Sequence, residues 1–484
     1  MEAGIAGTKG QASFRDPDGF IFESGDRIFR CVLPHAVGEM QAFLASPLAT
    51  TWMAEGKLAH TRILEGTSGL EPELEDRLPA GALILEHAPV PFRNYPYEWP
   101  PEMLSAAAAL TLEMALAAMH AGFVLKDATP YNVMFDGSRP VFLDVLSFRR
   151  RDPLESVWQP YAQFIRTFVY PLLASRYFGL RLNEILLAHR DGLEPDRILA
   201  LCPRYRLLFP PFLSSVTIPV LLARRKHRAV ADRYAVRRAR DAHEAEFILE
   251  RLFVQARKLL RHASAGRGNR AAPQQAASQY LDGEDSYSAA EFSQKERYMA
   301  RAFERWPPHN VLDVGCNSGR FSLLAARHGA RVLAIDRDED AVGALWQSAS
   351  GLNLGVLPLA LDIGRPPGAC GWQNAECPAF LDRARGKFDC VLMLALMHHL
   401  LVNERAPLAA IFQLASDLTT RLAIVEYIDP GDPLFKRIAR GRDDLHRDVT
   451  PKSFEAAASR WFHILDANDV SPTRRIYILK RSEP

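Results

Sequence analysis

The run Asn310-Val-Leu-Asp-Val-Gly-Cys-Asn-Ser-Gly-Arg-Phe-Ser322, followed by Arg331-Val-Leu-Ala-Ile-Asp336, leaves few folds open to this chain. Its first part predicts a buried strand over Val311 to Val314, then a glycine-rich turn and a helix. Its second part predicts another short apolar strand ending in an acid. Gly315 and Gly319 let the backbone come close to a ligand, and the start of the following helix offers free N–H groups. Asp336 lies 21 residues after Gly315, where a doubly wound sheet puts the acid that binds ribose hydroxyls. With Asp313 before the turn, two carboxylates flank a nucleoside-shaped crevice. Such a crevice suits a nucleoside with a cationic tail better than a pyrophosphate.

This pattern resembles motifs I and II of the class I S-adenosylmethionine-dependent methyltransferases. Their Asp/Glu-x-Gly-x-Gly-x-Gly stands here as Asp313-x-Gly315-x-Asn317-x-Gly319, and Asn is among the residues that tolerate a left-handed backbone. The downstream order agrees. Glu291 to Phe303 and Asp340 to Ala349 read as helices. Val356 to Ile363 reads as a strand ending in Asp362. Phe388 to Leu400 reads as a strand whose C-terminal end meets the crevice, as ligand sites in such sheets require. Ala423 to Pro430 reads as the next strand and its loop, and Arg474 to Lys480 as the last strand.

The resemblance implies an α/β, Rossmann-like, seven-stranded methyltransferase sheet and S-adenosyl-L-methionine as cofactor. It assigns cofactor contacts to Asp313, Gly315, Cys316, Asn317, Gly319, Asp336, Arg337, Asp362, Ile363 and Leu394. Asp362 would meet the adenine amino group and Ile363 its ring. His398 and His399 are candidates for a general base near neutral pH, with packing at the strand end as the plainer reading. Glu426 is a candidate to bind or deprotonate the acceptor, or else a structural acid. Asn/Asp-Pro-Pro-Tyr, the signature of enzymes that methylate base amino groups, is absent.

The N-terminal half carries a second pattern. Leu104 to His120 predicts a helix leading into Leu125-Lys-Asp127-Ala-Thr-Pro-Tyr-Asn132 and, after a short hairpin, Asp144. This resembles the catalytic loop of protein-kinase-like enzymes, in an α+β fold. The resemblance implies that Asp127 orients a hydroxyl while Asn132 and Asp144 hold Mg²⁺, with Mg²⁺-ATP as the ligand. The departures are large. Leu125-Lys126 replaces His-Arg, and Val145-Leu146 replaces Phe-Gly. No Gly-x-Gly-x-x-Gly loop lies upstream, and Asp16 to Cys31 reads as a plain hairpin, with Arg30 near the place of the usual lysine. The expectation is a kinase-like scaffold that has lost or repurposed phosphoryl transfer. Along residues 14–480 the chain resembles two-part methyltransferase-like proteins of the Noe-type, host-specific nodulation family. The matching features are Tyr95-Pro-x-Glu-Trp99, Leu125 to Asn132, Leu143 to Phe148, Asp313 to Gly319 and Leu396-Met-His-His-Leu400.

At 484 residues the chain should hold more than one domain. The expected division is a kinase-like domain with a helical extension over 10–262, a linker over 263–279 rich in small and polar residues, and the methyltransferase domain over 280–484. A net charge of +2 gives no global drive toward nucleic acid, and the basic stretch from Arg224 to Arg240 reads as a solvated helix face. Six scattered cysteines and an N-terminus without an apolar signal core point to a cytoplasmic setting. Leu207 to Ala223 is strongly apolar, is broken by three prolines and runs into Arg224-Arg-Lys-His-Arg228. It is short for a span and reads as a buried or interfacial segment, with peripheral membrane contact through 207–228 as the alternative. The expected acceptor is a small molecule or a carbohydrate derivative. The rivals are a small-molecule phosphotransferase and a non-catalytic scaffold.

Overall fold

The computed structural model describes residues 11–13, 16–64, 78–225, 238–264 and 288–482. In the N-terminal half, β1 (Gln11–Ser13), β2 (Gly19–Ser24), β3 (Arg27–Val32), β4 (Thr61–Ile63) and β5 (Leu83–His87) form an antiparallel sheet in the order β1-β2-β3-β5-β4. The long helix α1 (Pro101–His120) follows. It is long and apolar enough to cross a membrane, yet most of it is buried inside the protein, as in a core helix. Two short antiparallel pairs come next, β6 (Phe123–Leu125) with β9 (Phe148–Arg150), and between them in sequence the hairpin of β7 (Val133–Asp136) with β8 (Arg139–Phe142). Several short helices and then α2 (Ala242–Ser264) complete this half. Helix α2 buries Ala245, Leu249, Phe253, Ala256 and Leu260, an i, i+4 seam against α1. Phe247 is exposed because it lies a half-turn off that seam. Helix α2 runs to Ser264, so the expected linker overlaps its end; the rest of that linker, like Lys226 to Arg228, lies outside the described residues.

Helix α3 (Ala289–Arg305) opens the C-terminal half on a capping box, Ser288 with Glu291. The seven-stranded sheet then runs β12-β11-β10-β13-β14-β16-β15. Strands β10 (Asn310–Val314), β11 (Arg331–Asp336), β12 (Val356–Ala360), β13 (Phe388–Met393) and β14 (Thr419–Ile428) are parallel. Strands β15 (Phe462–Ser471) and β16 (Arg474–Arg481) close the sheet antiparallel. The parallel strands are nearly continuous apolar runs because helices cover both faces. Helices α4 (Arg320–Arg327) and α5 (Glu339–Leu352) follow β10 and β11. The expected Rossmann-like sheet is therefore present, with the strand order reversing between β10 and β13.

One expected strand is shorter. Strand β13 ends at Met393, the backbone turns left-handed at Ala395 (φ 50°), and a new helix, α6 (Met397–Val402), begins. His398 and His399 thus sit on a helix, not at a strand end.

The two halves share a continuous core in which Met103 and Leu104 belong with Leu333, Ile335 and Leu357. Polar contacts pin the seam. Trp346 Nε1 donates to Ser138 O at 3.0 Å, and Leu182 N donates to Glu339 Oε1 at 2.9 Å. The Tyr95–Trp99 loop is buried there, and its Glu98 is ion-paired with Arg383, whose Nη1 also lies 3.2 Å from Glu98 Oε2. This loop packs the halves together and forms no open binding surface.

Candidate active site

A cavity of about 360 Å³ opens at the C-terminal ends of β10, β11, β12 and β13, where the strand order reverses. Asp313, Gly315, Cys316, Asn317, Asp336, Arg337, Asp362, Ile363, Leu394 and His399 all line it.

The turn after β10 is built as its sequence demands. Gly315 and Gly319 both have φ 77°, and Asn317 has φ 49°. A Cβ on Gly315 would sit 3.1 Å from Leu396 Cδ1, at the cavity wall. A Cβ on Gly319 would lie 2.2 Å from Leu345 Cδ1, so this glycine does not line the cavity; it lets α4 pack against α5.

Three carboxylates reach the cavity in different states. Asp313 is buried and accepts from Ser322 Oγ at 2.6 Å. Burial pushes its carboxyl up to about 6, with the Ser322 bond opposing and the charge of Asp336 adding. Burial also raises Asp336, against the backbone N–H of Asp338 and of Asn317, each 2.9 Å from a carboxylate oxygen. Asp362 accepts from Gly364 N at 2.9 Å.

The two histidines part company. Successive residues on a helix point about 100° apart. His399 lines the cavity, its Nδ1 3.4 Å from Asn403 Nδ2. Burial, then the charges of Arg337 and Arg437, push it down to about 4, so the ring is neutral at pH 7. His398 lies behind it, buried, with its ring centroid 4.3 Å from that of His399 and 6.3 Å from that of Phe435, and among the described residues neither of its ring nitrogens has a hydrogen-bond partner. Burial holds its pKa well below the usual value, and it does not line the cavity as His399 does, so the plainer reading, packing, fits it.

Of the two readings of Glu426, the structural one fits its surroundings. It is fully buried beneath the cavity, accepts from Ala395 N at 2.8 Å and is ion-paired with Lys295 Nζ at 2.6 Å. It holds the turn after β13 and the cavity-lining Lys295; no face of it opens to the cavity.

Sequence reasoning passed over Lys295 of α3 and over α7 (Pro433–Ala439), whose Leu434, Arg437 and Ile438 cover the cavity. The signal for Lys295 was present: it lies on the stripe of Met299, Ala302 and Phe303, where a lysine must find a buried anion. Helix α7 is fixed by Asp432, which caps it through Leu434 N at 2.9 Å and pairs with Arg474 Nε at 2.9 Å.

In the N-terminal half the predicted trio converges. Asn132 Nδ2 lies 3.5 Å from Asp127 Oδ2. Ser147 Oγ lies 3.3 Å from Asn132 Nδ2 and donates to Asp144. Arg30 on β3 is buried, with Nη1 2.7 Å from Asp144 Oδ1 and 3.9 Å from Asp16 Oδ2. Burial raises the Asp127 carboxyl, against a bond from Gln163.

Residues 287–467 match the family described as "Methyltransferase domain". The chain carries an S-adenosylmethionine-dependent methyltransferase domain. Over 97% of its length it is 29% identical to the nodulation protein NoeA of Rhizobium meliloti (strain 1021), covering 96% of that protein. Among solved structures, the chain is similar to the N-methyltransferase NodS of Bradyrhizobium japonicum WM9. The identity is 13%, the coverage 40% of this chain and 99% of that one, and the TM-score 0.30. It also aligns with magnesium protoporphyrin IX methyltransferase (ChlM) of Synechocystis PCC 6803, at 18% identity, 43% and 95% coverage, and a TM-score of 0.31.

Proposed function

We propose that the chain transfers the methyl group of S-adenosylmethionine to a small-molecule or carbohydrate-derived acceptor, using the cavity above β10 to β13. The convergence of Asp313, the Gly315–Gly319 turn, Asp336 and Asp362 on one cavity carries this reading. The cofactor supplies an electrophilic methyl on a sulfonium. Asp336 accepts ribose hydroxyls, and Asp362 the adenine amino group, with Ile363 and Leu394 as apolar walls. Asp313, beside the turn, favours the cationic tail. Gly315, Cys316 and Asn317 bring their backbone against it, and Gly319 sets the turn they belong to. Arg337 lies at the rim beside Asp336.

The acceptor enters on the side of His399, Asn403 and Arg437. A histidine held near 4 is a weak proton store but a good hydrogen-bond acceptor. His399 therefore orients an acceptor N–H or O–H, and alignment of nucleophile and methyl supplies the acceleration. Glu426 is excluded as the base by its ion pair. The setting is cytoplasmic, with the kinase-like and methyltransferase parts meeting near the expected 263–279 boundary. Incubation with methyl-labelled cofactor and fractionated extract tests the acceptor class. Label in the small-molecule or carbohydrate fraction, lost with Asp336→Ala, is expected; label in nucleic acid would overturn the reading.

The N-terminal half is read as a kinase-like scaffold without phosphoryl transfer, because the Arg30 guanidinium occupies the Asp144 carboxylate that Mg²⁺ would need. Asp127 and Asn132 then serve the loop through their mutual bond. Titration with Mg²⁺-ATP should give no saturable heat. Binding that disappears in Asp144→Ala would restore the phosphotransferase reading.

A further inference from the structure

The segment from Arg204 to Arg225 presents an apolar face that the described residues leave uncovered. A short turn, Arg204–Leu208, packs on the helix that begins at Leu213 and ends at Arg225, with Thr217 Oγ1 donating to Leu207 O at 2.8 Å. The inner face of this unit is anchored: Phe212, Val216 and Val220 are buried, and Phe212 meets the Tyr177 ring edge-on at 5.1 Å. The outer face should then carry charges. It carries Tyr205, Leu208, Phe209, Ile218, Leu221 and Leu222 instead, each between 45% and 65% exposed. Ile218, Leu221 and Leu222 stand at i, i+3 and i+4 and form one stripe. Large exposed apolar side chains gathered in so short a stretch mark a contact surface.

Its charge is equally one-sided. From Arg197 to Ala231 there is no Asp or Glu, while Arg and Lys number seven, in a chain whose net charge is only +2. Arg204 and Arg206 flank Tyr205, and the exposed stripe leads in sequence straight into Arg224-Arg-Lys-His-Arg228.

We infer that this face docks on an anionic lipid bilayer surface, lying in the interface without crossing it. The apolar stripe enters the headgroup–acyl boundary, the basic residues meet the lipid phosphates, and Tyr205 sits at the polar level. A second copy of the chain is the less suitable occupant, because a two-fold contact would set this basic segment against itself.

Flotation of the full chain with vesicles tests this. Binding to phosphatidylcholine vesicles containing phosphatidylglycerol should exceed binding to pure phosphatidylcholine by at least about tenfold, and fall as salt rises. Leu221→Ser/Leu222→Ser should weaken it by at least about tenfold with unchanged circular dichroism. Arg224→Gln/Arg225→Gln, which leaves the apolar face intact, should abolish only the preference for anionic lipid. Failure to float, or binding indifferent to both variants, would overturn the inference. So would a concentration-dependent dimer that Leu221→Ser/Leu222→Ser dissolves, which would make the face a self-interface.

Discussion

At Asp313 a single carboxyl links folding, pH and cofactor. Its folded pKa of about 6 stands above the ordinary 3.8. Relative to acid conditions, stability is unaffected below pH 3.8, is lost as pH rises through about 6, and settles roughly 3 kcal/mol lower. Asp313→Asn escapes that loss. Its stability relative to wild type should therefore rise by about 2 kcal/mol between pH 4 and pH 7, read by urea denaturation at each pH. A difference independent of pH would mean that the carboxyl titrates normally. Cofactor affinity carries the opposite sign. A cationic tail favours the carboxylate, so wild-type binding should strengthen through pH 6 while Asp313→Asn stays flat. Cys370 is a second residue with a shifted proton. Its thiol is held down by a hydrogen bond with Cys377, helped by Tyr97 and Arg190 against burial. It should react with iodoacetamide first among the six cysteines, as peptide mass mapping would read.

Between elements, buried polar contacts decide which helix sits where. Lys295 of α3 and Glu426 of β14 form an ion pair with almost no exposure. Breaking such a pair leaves an uncompensated charge and costs about 3–5 kcal/mol. Glu426→Gln should therefore lower unfolding free energy by roughly that amount; an unchanged stability would return Glu426 to the candidates for acceptor chemistry. The contact between α4 and α5 makes a separate test. Gly319→Ala adds a Cβ at left-handed φ, 2.2 Å from the Leu345 side chain. It should lower Tm, and in a double-mutant cycle its cost should be smaller in a Leu345→Ala background than in the wild type, because the clash is with a side chain while the backbone strain remains. Elements of this kind differ in how readable they were. The turn from Asp313 to Gly319 is local, so spacing alone announced it. The Lys295–Glu426 pair and the α7 cover join residues far apart in sequence, and periodicity within one element does not report such partners. The histidines were misplaced for a local reason: a six-residue helix hides inside an apolar run that alternates like a strand.

As a whole molecule, the chain behaves as two sequence-legible halves joined by a seam that the sequence did not announce. The strands from β10 to β14 and β16 follow from apolar runs and their punctuation, the N-terminal sheet was legible only in its β2–β3 hairpin, and the trio of Asp127, Asn132 and Asp144 meets as the resemblance implied. The Tyr95–Trp99 motif, by contrast, has its reason across the seam, where Glu98 meets Arg383. Such a shared core should make the halves unfold together. Arg383→Leu should split one unfolding transition into two, as seen by calorimetric scanning; a single transition at unchanged Tm would show that the pair does not hold the seam. The central claim rests on the cavity at the turn between β10 and β13. Isothermal titration of S-adenosylmethionine and S-adenosylhomocysteine into the full chain and into Asp336→Ala tests it most directly. Saturable one-to-one binding by the wild type, weakened by at least about tenfold in the variant, is expected from the loss of a charged hydrogen-bond acceptor. No binding by the wild type, or equal affinity in the variant, would contradict it.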